Sequence, residues 1–187
     1  MKDLGDTELA LLAKEGDVAA FEAIYDRHAP GIARALASYA GPDRDLLDDL
    51  TQEVFCRVIE GLPSFDPARP FSHWLYTVAL NVGRNQVRRR SVVSFEDPCK
   101  LDGLPQEGNR ITGLEDEVMA EVLYRLVSRL PEHMCEVVSL RIGSGMPYAE
   151  IGEMLGIPEG TARSRMHNAI GLLRDKLGIR VLKEEKG

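Results

Sequence analysis

From Asp43 to Glu60 the apolar residues Leu46, Leu47, Leu50, Val54, Phe55, Val58 and Ile59 recur at steps of three and four, and this spacing constrains the chain more than any other feature. A period near 3.6 puts them on one stripe of an α-helix and leaves Asp45, Asp48, Asp49, Gln52 and Glu53 away from it. No strand-like alternation persists anywhere in the 187 residues, so the chain is expected to be all-α. Asp6 reads as the N-cap of a first short helix that Gly16 ends, and Asp17 restarts one that runs to about Tyr39 before Gly41-Pro42. Gly61 and Pro63 close the third helix. After Phe65-Asp66-Pro67 and Pro70, a fourth is expected from about Ser72 to Arg90, burying Trp74, Leu75, Val78 and Val82. Its polar residues Asn81, Arg84, Asn85 and Arg88 fall on one face.

Residues 91–113 break this pattern with Pro98, Pro105, Gly103, Gly108, Asn109 and Gly113, the composition of a linker. Periodicity resumes at Leu114 and reaches Arg129. Pro131 then starts a helix that carries Val137, Val138, Leu140 and Ile142 to Gly143. A short amphipathic helix, Tyr148 to Leu155, follows, then the turn residue Gly156 and a longer helix from Glu159 to Leu177. In that last helix Ala162, Met166, Ile170, Leu173 and Leu177 form the inner stripe. Thr161, Ser164 and Asn168 point outward, with Arg163 and His167 on one flank and Arg165 on the other. Short helix, glycine turn and longer helix make a helix-turn-helix, in which the start of the second helix reads base edges in the major groove. Arg suits bidentate contact with guanine and Asn with adenine, so the outward set has the chemistry for it.

The net charge of −7 opposes nucleic-acid binding until it is divided along the chain. Residues 1–62 carry 13 acidic and 6 basic groups, whereas residues 63–100 carry 6 basic and 3 acidic. Residues 101–128 return to 6 acidic against 2 basic, and residues 129–187 hold 9 basic and 8 acidic. Only the second and fourth blocks suit DNA. Each neutralised phosphate steepens the salt dependence by about 0.9 log units per log of salt, so a protein with so few clustered cations is expected to bind free DNA weakly and to need a larger partner. Arg88-Arg89-Arg90 also sits where cations favour a helix C-terminus without any DNA, and Phe71, Trp74 and Tyr76 serve either as core or as stacking residues.

Other classes are disfavoured. No apolar run approaches the roughly 20 residues that cross a bilayer, and Met1-Lys2-Asp3-Leu4-Gly5-Asp6 lacks the pattern of a signal peptide. A cytoplasmic protein without membrane insertion is expected. Cys56, Cys99 and Cys135 are odd in number and far apart, against a disulfide scaffold. His133-Met134-Cys135 falls short of the four ligands of structural zinc, so neither a metal nor another cofactor is expected. No nucleophile, base and oxyanion set and no phosphate-binding glycine loop can be assembled, so the chain is not expected to be an enzyme.

The motifs resemble those of the bacterial extracytoplasmic-function (ECF) sigma factors, the small two-domain members of the sigma-70 superfamily. The resemblance covers nearly the whole chain: Asp49-Leu-Thr-Gln-Glu-Val-Phe55, Ser64-Phe65-Asp66, Phe71-Ser-His-Trp-Leu-Tyr76 with Asn81, Leu130-Pro131-Glu132, Tyr148-Ala-Glu-Ile-Gly152 and Gly160-Thr-Ala-Arg-Ser-Arg165 stand in family order. It implies two small helical domains, a sigma region 2 bundle over 1–91 and a region 4 helix-turn-helix over 114–182. A flexible linker over 92–113 would join them, with a tail at 183–187. It further implies that Asp49, Gln52, Glu53 and Phe55 belong to the segment that docks on the β′ clamp helices of core RNA polymerase, with the β flap as a second contact. Phe65 would lie in the loop that receives a flipped minus-ten base, and Asn81, Arg84 and Arg88 near the opened strand. Thr161, Arg163, Ser164, Arg165, His167 and Asn168 would approach the minus-thirty-five duplex. The chain departs from the family at Asn168, where members commonly carry a basic residue. Promoter DNA, core polymerase and an anti-sigma factor are the implied partners of a chain that is monomeric when free. Two other readings stand beside this one: a conventional helix-turn-helix regulator that acts without polymerase, and a helical interaction module that never touches DNA.

Overall fold

The computed structural model describes residues 4–93 and 116–178, and all regular structure among them is helical. The N-terminal half comprises α1 (Asp6–Lys14), α2 (Val18–Ala40), α3 (Arg44–Gly61), a 3-10 turn at Leu62–Ser64 and α4 (Phe71–Val93). The C-terminal half comprises α5 (Asp116–Val127), α6 (Glu132–Gly143), α7 (Tyr148–Leu155) and α8 (Glu159–Lys176). The all-α expectation and the division into two helical units hold. The expected linker lies outside the described residues apart from positions 92 and 93, which extend α4, and the expected tail lies outside them entirely.

Asp17 and Asp43 cap α2 and α3 by accepting from the amides of Ala20 and Leu46 at 3.0 and 2.9 Å, satisfying donors the first helical turn leaves open. The first helix differs from expectation. Its N-cap is Gly5, whose amide donates to Glu8 Oε2 at 2.8 Å. Asp6 stands one residue inside, and its carboxylate reaches across to Arg27 at 2.5 Å and His28 Nε2 at 3.0 Å, tying α1 to α2. Burial pushes the pKa of His28 below its ordinary value, against the pull of the Asp6 carboxylate.

Helix α2 is the centre of the fold, packing against α1, α3, α4, α5 and α6. Leu9, Ile24, Leu36, Val54, Val58 and Leu75 are fully enclosed around it. Two residues leave the stripes assigned from periodicity. Ile59 is 53 % exposed, and Leu62 in the 3-10 turn takes the inner place four residues after Val58. Ile170 is 36 % exposed, and the fully buried Ala169 takes its place on α8, packing with Val127 and Val138. One residue's rotation of about 100° separates Ile59 from the buried Val58 and Ile170 from the buried Ala169, and moves each isoleucine off the core. The second case selects a small residue where α8 lies against α6. Trp74 and Val78 are half-buried rather than enclosed.

The core does not stop at the boundary between the halves. Cys135, Val137, Leu140, Ile151 and Ala162 belong to the same buried cluster as the N-terminal bundle. Helices α2 and α6 meet at two glycines: a Cβ at Gly143 would lie 2.5 Å from Ala35 Cβ and 2.8 Å from the Gly31 carbonyl oxygen. Eight residues before Gly143 on the same helix, Cys135 is buried with its sulfur 3.3 Å from the Val127 carbonyl and 3.6 Å from that of Ser38. Burial, with Glu136 and Glu132 adding to it, pushes its thiol up to about 12. Burial thus disfavours the thiolate, which is the reactive form. Maleimide labelling followed by peptide mapping is expected to modify the exposed Cys56 in the folded protein and Cys135 only after denaturation.

Candidate nucleic-acid and docking interfaces

The outer face of α3 is acidic with an apolar end. Asp45, Asp48, Asp49 and Gln52 are exposed, and Asp49, Gln52, Cys56 and Ile59 follow one another at steps of three and four along one line. Of the four residues expected to dock, Asp49 and Gln52 stand in solvent. Glu53 is half-buried, bonded to Arg57 at 2.5 Å and 3.8 Å from Arg89 of α4. Phe55 lies on the opposite side, 4 % exposed, with Tyr25 and Phe21 rings at 4.6 and 6.4 Å between centroids. It holds α3 against α2 and sets the face without forming part of it. Ile59 is exposed on the line of Asp49 and Gln52, because the inner stripe passes from Val58 to Leu62.

The turn after α3 is built on an aromatic cluster. Phe65 is 3 % exposed, with Phe71 edge-on at 5.4 Å and Trp74 at 5.4 Å. Its ring anchors the loop and leaves Asp66, Pro67, Ala68, Arg69 and Pro70 exposed above it. Asp66 Oδ1 accepts the Ala68 amide at 3.0 Å, an Asx-type turn that fixes the loop's curvature. Farther along α4, Asn81 is exposed and accepts from Arg84 at 3.2 Å. Arg84 reaches out of its own half to Glu136 of α6, with contacts of 2.7 and 2.6 Å, and lies 4.0 Å from Glu132. Arg88 is exposed. The structure thus brings Asn81 and Arg84 together but sets Phe65 beneath the loop rather than open to it.

Helices α7 and α8 form the helix-turn-helix. Gly156 closes α7 at φ 65°, the left-handed region that suits glycine, and the Ile157 amide returns to the Gly152 carbonyl at 2.9 Å. On the first turns of α8, Arg163, Ser164, His167 and Asn168 are exposed, while Thr161 and Arg165 are half-buried at the flanks. Ser164 donates to the Thr161 carbonyl at 3.0 Å. Arg163 bonds Glu159 one turn back and lies 5.2 Å from the centre of the Tyr148 ring, whose environment also includes Arg141 at 5.1 Å. Tyr148 thereby limits the arc Arg163 can sweep. Arg141 donates to the Gly145 and Met146 carbonyls at 3.1 and 2.7 Å and fastens the approach to α7. Sequence reasoning missed the Tyr148 stack, since aromatic and guanidinium stand 15 residues apart and meet only through the turn.

Models of Sigma-70 region 2 and of Sigma-70 region 4 match residues 24–92 and 126–175. An ECF RNA polymerase sigma factor, SigE of Mycolicibacterium smegmatis, is 33% identical over 177 residues, covering 91% of this chain and 68% of that protein. The chain belongs to the ECF sigma factors. Sigma-E of Escherichia coli, also an ECF RNA polymerase sigma factor, is 28% identical over 185 residues and is covered to 96%. Among solved structures, CnrH in complex with the cytosolic domain of CnrY superposes with a TM-score of 0.66 at 26% identity, covering 94% of this chain and 99% of that one. The sigma factor RpoE of Bartonella quintana, solved with the anti-sigma factor NepR, shares the fold at a TM-score of 0.61 and 22% identity, covering 88% of this chain and 100% of that one. Sigma factors are transcription initiation factors and not enzymes, and they act with core RNA polymerase on promoter DNA. In this sigma factor no described helix is long and apolar enough to cross a membrane.

Proposed function

We propose that residues 1–91 dock on core polymerase and open the minus-ten region, that residues 114–182 grip the minus-thirty-five duplex, and that residues 92–113 connect the two, with 183–187 as a tail. The observation that carries this reading is the separation of two exposed surfaces of different chemistry on one chain. The outer face of α3 presents Asp49, Gln52 and Ile59, and the start of α8 presents Arg163, Ser164, His167 and Asn168. An acidic face with an apolar end suits a basic, partly apolar helical surface such as the β′ clamp helices, where depletion of charge at the contact centre favours an Ile. Glu53 orders the α3 surface through Arg57 and Arg89, and Phe55 supports it from within. The loop over Phe65 is the place for a flipped minus-ten base, with Asn81, Arg84 and Arg88 along the displaced strand. Thr161 and Arg165 flank the base-reading set. The β flap is a further contact of the C-terminal half.

The factor works in the cytoplasm, is monomeric when free, and is held by an anti-sigma factor until a stress or envelope signal releases it. Support for that partner comes from the 26% identical CnrH, which was solved bound to the cytosolic domain of a second protein. Co-purification from unstressed cells tests it: a stoichiometric non-polymerase protein is expected, and recovery of polymerase subunits alone contradicts it.

Core docking is tested by Asp49→Ala combined with Gln52→Ala. Both side chains are exposed, so folding stability is expected to change by no more than about 0.5 kcal/mol. Affinity for core polymerase, measured by fluorescence anisotropy, is expected to fall at least tenfold while Arg163→Ala leaves it unchanged. Equal affinity of the double variant and the parent protein would remove α3 from the docking surface.

A further inference from the structure

A cleft of about 400 Å³ lies where α2, α4 and the turn between α6 and α7 come together, and Arg34, Tyr76, Ser72, Pro30, Met146 and Glu150 are among its walls. The turn that forms one side is braced from behind. Arg141 donates to the Gly145 and Met146 carbonyls at 3.1 and 2.7 Å, and the Met146 amide donates to Ser144 Oγ at 3.1 Å. Glycine draws the other side in: a Cβ on Gly31 would collide with the Tyr76 hydroxyl and lie 3.0 Å from the Gly143 carbonyl oxygen. Ligand clefts span about 300–1,000 Å³, so this one suits a small compound.

Two polar groups in the cleft are left over when the internal bonds are counted. Tyr76 is 4 % exposed, yet its hydroxyl bonds no described residue. A buried hydroxyl without a partner costs stability, and one that faces a cleft marks a place for an acceptor. Burial pushes its pKa up to about 12 despite the opposing charge of Arg34, so at neutral pH it is protonated and able to donate. Arg34 is the second group. Its guanidinium pairs with no carboxylate among the described residues and makes one long bond, 3.4 Å, to the Gly143 carbonyl. The other charges around the cleft are spent, Arg27 on Asp6 and the Leu4 carbonyl, and Glu150 on His73 at 3.2 Å.

These two groups select a ligand. Guanidinium and hydroxyl are both donors, and a guanidinium takes a carboxylate through two parallel bonds. A doubly charged phosphate matches poorly, because one cation alone is unspent and the Glu150 carboxylate shares the cleft. Pro30, Met146 and Pro147 supply apolar wall for the rest of the molecule. We propose that the cleft binds a small organic monocarboxylate, its carboxylate held by Arg34 and the Tyr76 hydroxyl and its apolar body lying against Pro30 and Met146. The site shares no residue with the docking and DNA-reading sets described above. It goes beyond the promoter reading and does not rest on it.

Proton–nitrogen correlation NMR of the full chain tests this, with a panel of monocarboxylates (acetate, benzoate, phenylacetate) and the matched primary amides as probes. At least one carboxylate is expected to shift the amides of Gly31, Gly143 and Gly145 saturably, with a Kd below about 1 mM, and its amide to bind at least tenfold more weakly. Arg34→Gln is expected to weaken that carboxylate at least tenfold. Tyr76→Phe is expected to weaken it at least threefold while the ligand-free protein keeps or raises its thermal midpoint, since the hydroxyl removed has no partner. No saturable shift from any member of the panel, equal binding of acid and amide, or full affinity in Arg34→Gln overturns the proposal. Inorganic phosphate is titrated alongside, and binding as tight as that of the best carboxylate overturns the choice of ligand class. Transcription with core polymerase is measured separately, so failure of this site and failure of the sigma reading are told apart.

Discussion

Replacing Arg163 and Arg165 together by Ala is expected to lower promoter-specific transcription at least thirtyfold while core binding changes by less than twofold. Each guanidinium at the start of α8 can make a bidentate base contact worth about 1–3 kcal/mol of discrimination, so two give roughly 2–6 kcal/mol. The fold should survive the change. Arg163 is largely exposed, its pairing with Glu159 is an i,i+4 surface pair worth about 0.3–0.5 kcal/mol, and Ala has the highest helix propensity. Electrophoretic mobility shifts of the holoenzyme on duplexes carrying the upstream element separate this from a folding defect. The variant should lose preference for that element, not all DNA binding. Tyr148→Leu is the graded counterpart, since it removes the ring beside Arg163 and leaves the guanidinium in place.

The second large effect is one of stability. Phe65→Ala empties the centre of the Phe65, Phe71 and Trp74 cluster, and truncating a buried Phe costs about 3–5 kcal/mol. Total stability of a domain is about 5–15 kcal/mol, so this variant is expected to show a large drop in urea midpoint, and weak open-complex formation by it would reflect unfolding as much as a lost base pocket. Asp66→Ala is the cleaner probe of the loop. It removes the acceptor of the Ala68 amide, worth about 1 kcal/mol, and leaves the aromatic cluster intact. Permanganate footprinting of the minus-ten region should report slower opening for Asp66→Ala at unchanged core affinity. Normal opening would move the base pocket elsewhere on the loop.

What the sequence discloses and what it conceals divide along physical lines. Helices α2 and α3 were legible because Asp17 and Asp43 cap them and their apolar spacing is regular, and α7 and α8 because Gly156 marks the turn. The exposure of Asp49, Gln52, Arg163, Ser164, His167 and Asn168 followed from the same periodicity. Errors came where an element ended or a residue had two uses. Asp6 looked like a cap, yet its carboxylate serves Arg27 and His28 on the next helix. Ile59 and Ile170 fit a helical stripe by number, but Leu62 and Ala169 fit the space. Phe55 and Phe65 sit within the motifs of the family and are structural supports in the free chain, a distinction that burial makes and spacing does not. The pairing of Arg84 with Glu136 was beyond sequence reasoning, because 52 residues separate them and only the packing of α6 on α2 brings them together.

The central claim is that this chain directs core polymerase to promoters. Run-off transcription from a promoter library with bacterial core polymerase, with and without the protein, measures it directly. Transcripts from a defined promoter set that appear only when the protein is added are the predicted result, and their upstream sequences would supply the two elements. Absence of such transcripts, together with tight operator binding by the protein alone, would contradict the account and point to a conventional regulator.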